Sequence, residues 1–203
     1  MIYKNKNYDS LYGTPGFSDG LLKNHFTLYQ GYVKKTNELI ERIGKYHREE
    51  SESNPEYMEL KRRFGWEFNG MRLHEYYFEN MKKEHDELES GTLKEKIESD
   101  FGSFELWQKD FITTGAMRGI GWVILAYDLV GDRLLNFWIN EHDLGHGAGV
   151  VPLLVMDVFE HAYIQDYGLK KEEYIRAFFQ AINWQEVSKR FQDSTVMIHH
   201  AHS

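Results

Sequence analysis

The chain has 203 residues, enough to bury a core without covalent staples. Its 24 basic and 32 acidic side chains leave a formal charge of −8, which argues against a nucleic-acid or polybasic membrane surface. Cysteine is absent, so disulfides, zinc–thiolate sites and cysteine nucleophiles are excluded, and any metal ion must be held by His, Asp, Glu or backbone oxygen.

The first 15 residues, rich in Lys, Asn and Tyr, read as an extended arm without the apolar segment of a signal peptide. No apolar run reaches the ~20 residues a membrane helix needs, so a cytoplasmic location is expected. Residues 16–90 read as two long helices. Ser18 is the expected N-cap of the first, with Phe17 and Leu22 at staple spacing. That helix is expected to run to about Gly44, its apolar face formed by Leu21, Leu22, His25, Leu28, Tyr29, Tyr32 and Val33 at steps of three and four. KYHREESESN is a polar connection, and Pro55 suits the first turn of a second helix. The second helix carries Met58, Phe68, Met71, His74, Tyr77, Phe78 and Met81, interrupted by Gly65 and Gly70.

The charged segment 89–97 places the expected domain boundary between residues 95 and 96, giving a helical hairpin domain (1–95) and a second domain (96–203). FGSFELWQKDFITTGA reads as a helix. GWVILAYD and RLLNFWIN read as a hairpin across the VGD turn, VPLLVMD as a third β run, and KKEEYIRAFFQAI and WQEVSKRF as helices. The fold class is therefore α+β, a long-helix hairpin followed by a small antiparallel sheet flanked by helices. No function attaches to the His-rich end, HHAHS.

Asp157 and His161, in MDVFEHAY, are four residues apart and face one point whether the segment turns or stays extended. They read either as a buried hydrogen-bonded pair or as two metal ligands. His25 and His74 each sit on the apolar face of a long helix. Taken singly each is an ordinary core histidine; taken together, in a hairpin closed by the second domain, they complete a set of three imidazoles and a carboxylate. Such a set suits iron or manganese, with copper and zinc as competitors. His142 and His146, in EHDLGHG, read as loop histidines. Alternatively His142 and Asp143 form an HD-type phosphohydrolase doublet. A zincin-like reading fails, because Asp143 stands where Glu is required and the glycines disfavour a helix.

The segment Asp157-Val158-Phe159-Glu160-His161-Ala162-Tyr163 resembles the signature of the iron/manganese superoxide dismutase family. Residues 101–111, 119–122, 151–163 and 183–191 are similar to family segments in the same order, as more weakly are NHF at His25 and LHEYYF at His74. The resemblance implies a helical hairpin followed by a domain with a three-stranded antiparallel sheet. It implies one Fe or Mn ion per subunit, iron preferred, on His25, His74, Asp157 and His161. It implies superoxide as substrate, a homodimer, and no nucleic-acid or membrane partner. His142 would take the place of the Gln or His that bonds the metal-bound solvent, and position 70, the other place for a Gln, is Gly here. Trp122, Phe159 and Phe78 would wall the site, and Glu160 would reach the partner subunit's metal-bound histidine. Three positions depart from the pattern. Tyr29 replaces a His, Val33 replaces the gateway Tyr, and Ile164 replaces a Tyr that pairs across the interface. A one-residue irregularity in the first helix would return Tyr32 to the gateway. Leu28 and Lys171 stand where the family's cationic funnel residues lie. A homologue that binds metal without dismutase activity is the alternative.

Overall fold

The computed structural model describes residues 2–201, with side-chain environments for residues 2–196, so the side chains of the C-terminal HHAHS lie outside the described residues. The elements in chain order are α1 (Asp19–Arg48), α2 (Pro55–Glu79), α3 (Thr92–Phe101), α4 (Phe104–Ala116), β1 (Gly121–Asp128), β2 (Arg133–Asn140), β3 (Val150–Asp157), α5 (Ile164–Tyr167), α6 (Lys171–Gln180) and α7 (Trp184–Ala201). A single 3-10 turn, Glu160–Ala162, separates β3 from α5.

α1 starts where the sequence places it, with the Ser18 side chain accepting from the Leu21 amide. It passes Gly44 and continues to Arg48, so the first four residues of the expected connection are helix. Lys45, His47 and Arg48 complement the negative end of its dipole. Pro55 opens α2 under an Asn54 cap, and neither Gly65 nor Gly70 breaks that helix. Met58, expected on the apolar face of α2, is instead 54% exposed near the tip of the hairpin. The distal ends of α1 and α2 pack through Leu39, Ile43 and Leu60.

The segment expected to link two domains contains α3, whose Leu93 and Ile97 are buried. The single helix expected over residues 101–116 is divided. Gly102, at φ +91°, ends α3, and the Ser103 side chain caps α4 by accepting from the Leu106 amide. The three strands match their expected positions and form an antiparallel sheet in the order β2-β1-β3. β1 lies in the centre and is buried on both faces, which accounts for its continuous apolar run. Pro152 sits in β3, an edge strand, beside a register irregularity at Leu125/Ala126 of β1, the setting in which a strand tolerates proline. Register places Asp157, the last residue of β3, opposite Trp122 of β1. The main core joins the inner face of the hairpin to the sheet, with Met71, Tyr77, Phe78, Trp122, Leu154 and Phe178 all buried.

Candidate metal centre

His25 and His74 lie on the facing sides of α1 and α2, both fully buried. Asp157 comes from the end of β3, where its Oδ1 accepts the Phe159 amide at 2.8 Å and turns the chain. The 3-10 turn then brings His161 back over its own carboxylate neighbour. The result is three Nε2 atoms around one oxygen. His25, His74 and His161 Nε2 are 3.1, 3.6 and 3.0 Å from Asp157 Oδ2. The four donor atoms all lie within 4.8 Å of one another.

The histidine tautomers show what this set accommodates. His74 Nδ1–H donates to the Gly70 carbonyl at 2.6 Å, so in the neutral ring Nε2 carries a lone pair. That Nε2 has no hydrogen-bond partner among the described residues and faces a carboxylate oxygen. Burial, then the neighbouring His25, hold His74 well below the usual imidazole range, so it does not protonate to fill the gap. Burial raises Asp157, but the His161 and His25 imidazoles outweigh it and hold the carboxyl well below the usual carboxylate range. A buried anion ringed by three imidazoles, two of which burial disfavours as cations, with a lone pair turned toward it, fits a cation. The donor set of three imidazoles and one carboxylate suits a first-row transition ion.

The walls are aromatic. Trp122 meets His74 edge-on at 4.9 Å and Phe78 meets His25 edge-on at 4.9 Å. Phe159 stacks on His161 at 5.1 Å. His142 is fully buried beside the cluster and its two ring nitrogens are committed. Trp122 Nε1–H donates to His142 Nδ1 at 3.0 Å. The proton of neutral His142 is therefore on Nε2, which donates to the Tyr32 hydroxyl at 2.8 Å. An HD-type doublet is not formed, because neither His142 nitrogen is free and Asp143 is exposed.

Tyr32 arrives without the helix irregularity expected for it. α1 is α-helical throughout, and a spacing of seven residues already puts Tyr32 two turns along the face of His25. Its ring stacks on His74 at 5.2 Å. Tyr29 is buried and turns away from the cluster, donating to Glu75 Oε1 at 3.0 Å and accepting the Lys6 amide at 3.1 Å. Ile164 is 46% exposed and Glu160 is exposed beside it. Lys171 is held by its own contacts, donating to the Met117 carbonyl at 3.0 Å and lying 5.6 Å from the Trp138 ring.

A model of the family described as iron/manganese superoxide dismutases, C-terminal domain, matches residues 89–190. The chain is 34% identical over 188 residues to a protein of Haloferax volcanii named superoxide dismutase [Mn] 2, covering 92% of each. It is 36% identical over 182 residues to superoxide dismutase [Fe] of Aquifex pyrophilus, covering 87% of this chain and 85% of that one. A third relative, superoxide dismutase [Fe] of Cupriavidus metallidurans, is 37% identical over 182 residues. The chain belongs to the iron/manganese superoxide dismutase family. Both metals occur in the names of its relatives, so membership leaves the choice of metal open.

Other residues of this family member contribute to the site without having been singled out in the sequence. Tyr174 donates its hydroxyl hydrogen to the Asp157 main-chain carbonyl at 2.5 Å and meets the Tyr77 hydroxyl at 3.1 Å. Trp66 packs edge-on against His142 at 4.5 Å. Its signal was the ridge Trp66, Gly70, His74, spaced by fours on one helix.

Proposed function

We propose that this protein dismutates superoxide to O2 and H2O2 at one iron or manganese ion held by His25, His74, Asp157 and His161. The observation that carries the reading is the convergence of three imidazole Nε2 atoms on Asp157 Oδ2, with the His74 lone pair turned inward. A bound iron or manganese ion supplies one-electron chemistry by alternating between two oxidation states. Iron is the preferred choice in this reading, on the strength of His142 in the loop position that the family resemblance assigns to it.

The chain's own residues do the rest. Asp157 contributes the negative charge that favours a cation, and its Oδ1 bond to the Phe159 amide fixes the carboxylate plane. The Gly70 carbonyl fixes the His74 tautomer. Trp122, Phe159 and Phe78 exclude bulk water, which strengthens each electrostatic contact inside. Because the Tyr32 hydroxyl already accepts from His142 Nε2, its own hydrogen is free to donate toward the cluster. Burial keeps that phenol protonated, raised above its ordinary range. Burial likewise holds His142 neutral, pushed down to about 4. Tyr32 Oη is thus the atom that holds a proton for the reduced substrate, and His142 orients it.

A cytoplasmic homodimer belongs to the same reading, and among the described residues no helix is long and apolar enough to cross a membrane. Exposed Glu160 next to His161, together with exposed Ile164, supports an interface at this edge of the site. The division at residues 95 and 96 into a hairpin domain and an α+β domain is part of the proposal.

The test combines elemental analysis with superoxide consumption, on protein as purified and after separate reloading with Fe and Mn. Stoichiometric metal with rapid consumption in at least one form is expected. Stoichiometric metal without consumption in either form would favour a metal-binding homologue that lacks the activity.

A further inference from the structure

His142 is boxed by four aromatic rings. Three of them, Tyr32, Trp122 and Phe159, already have roles in the proposed site. The fourth is Trp66, and the nature of its other contacts sets it apart. Its indole Nε1–H donates to Glu141 Oε2 at 3.0 Å, a contact across 75 residues between the hairpin and the loop after β2. Glu141 immediately precedes His142 and has φ +52°, a left-handed conformation that disfavours any residue with a Cβ. A glycine would be the relaxed choice there. The glutamate instead supplies a carboxylate that only Trp66 reaches among the hydrogen bonds described for it, so its strain is offset by a side-chain contact. One face of the indole is also held. The Arg63 guanidinium lies 3.8 Å from the ring centroid, and Glu67 fixes that guanidinium through Arg63 Nε at 2.9 Å. The held ring then packs edge-on against His142 at 4.5 Å and against Tyr32 at 5.6 Å.

We propose that Trp66 and Glu141 form a clasp between the hairpin and the loop after β2, which positions His142 against Tyr32 and seals that pair from water. Both are positioning residues, since neither touches the four candidate ligands. The inference rests on the proposed dismutase reading for its consequence, slower turnover, but the clasp itself is a matter of geometry. It assigns one purpose to a strained glutamate and an indole that the ligand set does not use. The clasp also brings a loop 110 residues from Tyr32 in sequence to hydrogen-bond distance of it.

The test compares wild type with Trp66→Phe, Glu141→Ala, Glu141→Gln and the double variant Trp66→Phe/Glu141→Ala. Two readouts are taken. One is solvent exchange of the Trp122 indole N–H, followed by NMR on protein loaded with Zn²⁺ as a diamagnetic ion, because that N–H is bonded to His142 Nδ1. The other is superoxide turnover, with metal content, of the Fe- and Mn-loaded forms. Trp66→Phe and Glu141→Ala should each speed indole exchange at least about tenfold, and the double variant should add little to either. Glu141→Gln keeps an acceptor for the indole and should hold exchange near the wild-type rate. Turnover should fall in parallel with exchange while metal content stays stoichiometric. Unchanged exchange in both single variants, or additive effects in the double, would overturn the clasp. If the variants lost only melting temperature, with exchange and turnover intact, Trp66 would be a packing residue and the proposal would fall. Inactive wild type in both metal forms would instead sink the dismutase reading, and the exchange data would still decide the clasp.

Discussion

Gly70 and Tyr32 occupy each other's space: a Cβ built on Gly70 would lie 2.6 Å from Tyr32 Cδ1 and 3.1 Å from Cγ. The missing side chain on α2 is therefore what admits the Tyr32 ring from α1. The ring then stacks on His74, and its hydroxyl meets His142. Where relatives are expected to place a glutamine side chain at this position, this chain places a tyrosine from the neighbouring helix.

Gly70→Ala should show this directly. The substitution improves helix propensity by about 1 kcal/mol. The clash is with the inner part of the Tyr32 ring, not a flexible end, and overpacking of this kind costs about 1–3 kcal/mol. A lower melting temperature is expected, with weakened turnover and unchanged metal content. An Ala variant more stable than wild type, with full turnover, would mean that Tyr32 has another place to go.

Removal of the Asp157 charge tests the ligand set. Asp157→Asn retains the shape and the Phe159 amide contact but leaves the three imidazoles without an anion. Metal content should drop at least about tenfold, and the stabilisation that metal confers on wild type should vanish with it. Elemental analysis and paired melting curves, with and without chelator, check both. Normal metal content in this variant would show that the cluster is not the metal site.

The buried imidazoles predict a particular pH dependence for the metal-free protein. Burial pushes His142 down to about 4, whereas in the unfolded chain it titrates near about 6.5. Between those values the unfolded chain binds a proton that the folded chain refuses. Stability is therefore constant above the window for this group and falls as pH drops through it, by roughly 3 kcal/mol at the lower end. His25 and His74, lowered chiefly by burial, act in the same direction. Urea midpoints should fall from about pH 7 to about pH 4.5, and His142→Gln should flatten the slope. A midpoint that rises with acidification would contradict the buried neutral state.

Tyr29, which replaces a histidine of the family pattern, should matter for stability and not for metal. Its hydroxyl joins the Lys6 amide of the N-terminal arm to buried Glu75, which also pairs with Arg72. Tyr29→Phe should cost about 1–2 kcal/mol through the lost hydrogen bonds and loosen the arm. Denaturant midpoints read the cost, and metal content should stay at the wild-type value. Metal loss in this variant would place Tyr29 in the candidate centre after all.

Much of the protein was determined by the sequence alone, where information is local. The helical spacing from Leu21 to Val33, Ser18 as a cap, Pro55 as a start and the apolar run of β1 each follow from contacts within one or two turns or along one strand. The four candidate ligands were legible for the same reason, as polar residues on otherwise apolar faces. The sequence erred where a local signal had competition. Gly44 did not stop α1, and Met58 kept the apolar spacing but lies exposed near the tip of the hairpin.

Tertiary structure alone decided the rest. The Tyr32–His142 bond spans 110 residues, the His25–Asp157 approach 132, and the Trp66–Glu141 bond 75. The inward lone pair of His74 depends on the bond of its Nδ1 to the Gly70 carbonyl, and the path of Tyr32 on that same glycine's missing Cβ. Periodicity states which face of an element is buried, but not which side chain of another element fills the opposing space. That depends on volume and hydrogen-bond direction after the hairpin has closed on the sheet, and both are properties of the packed molecule.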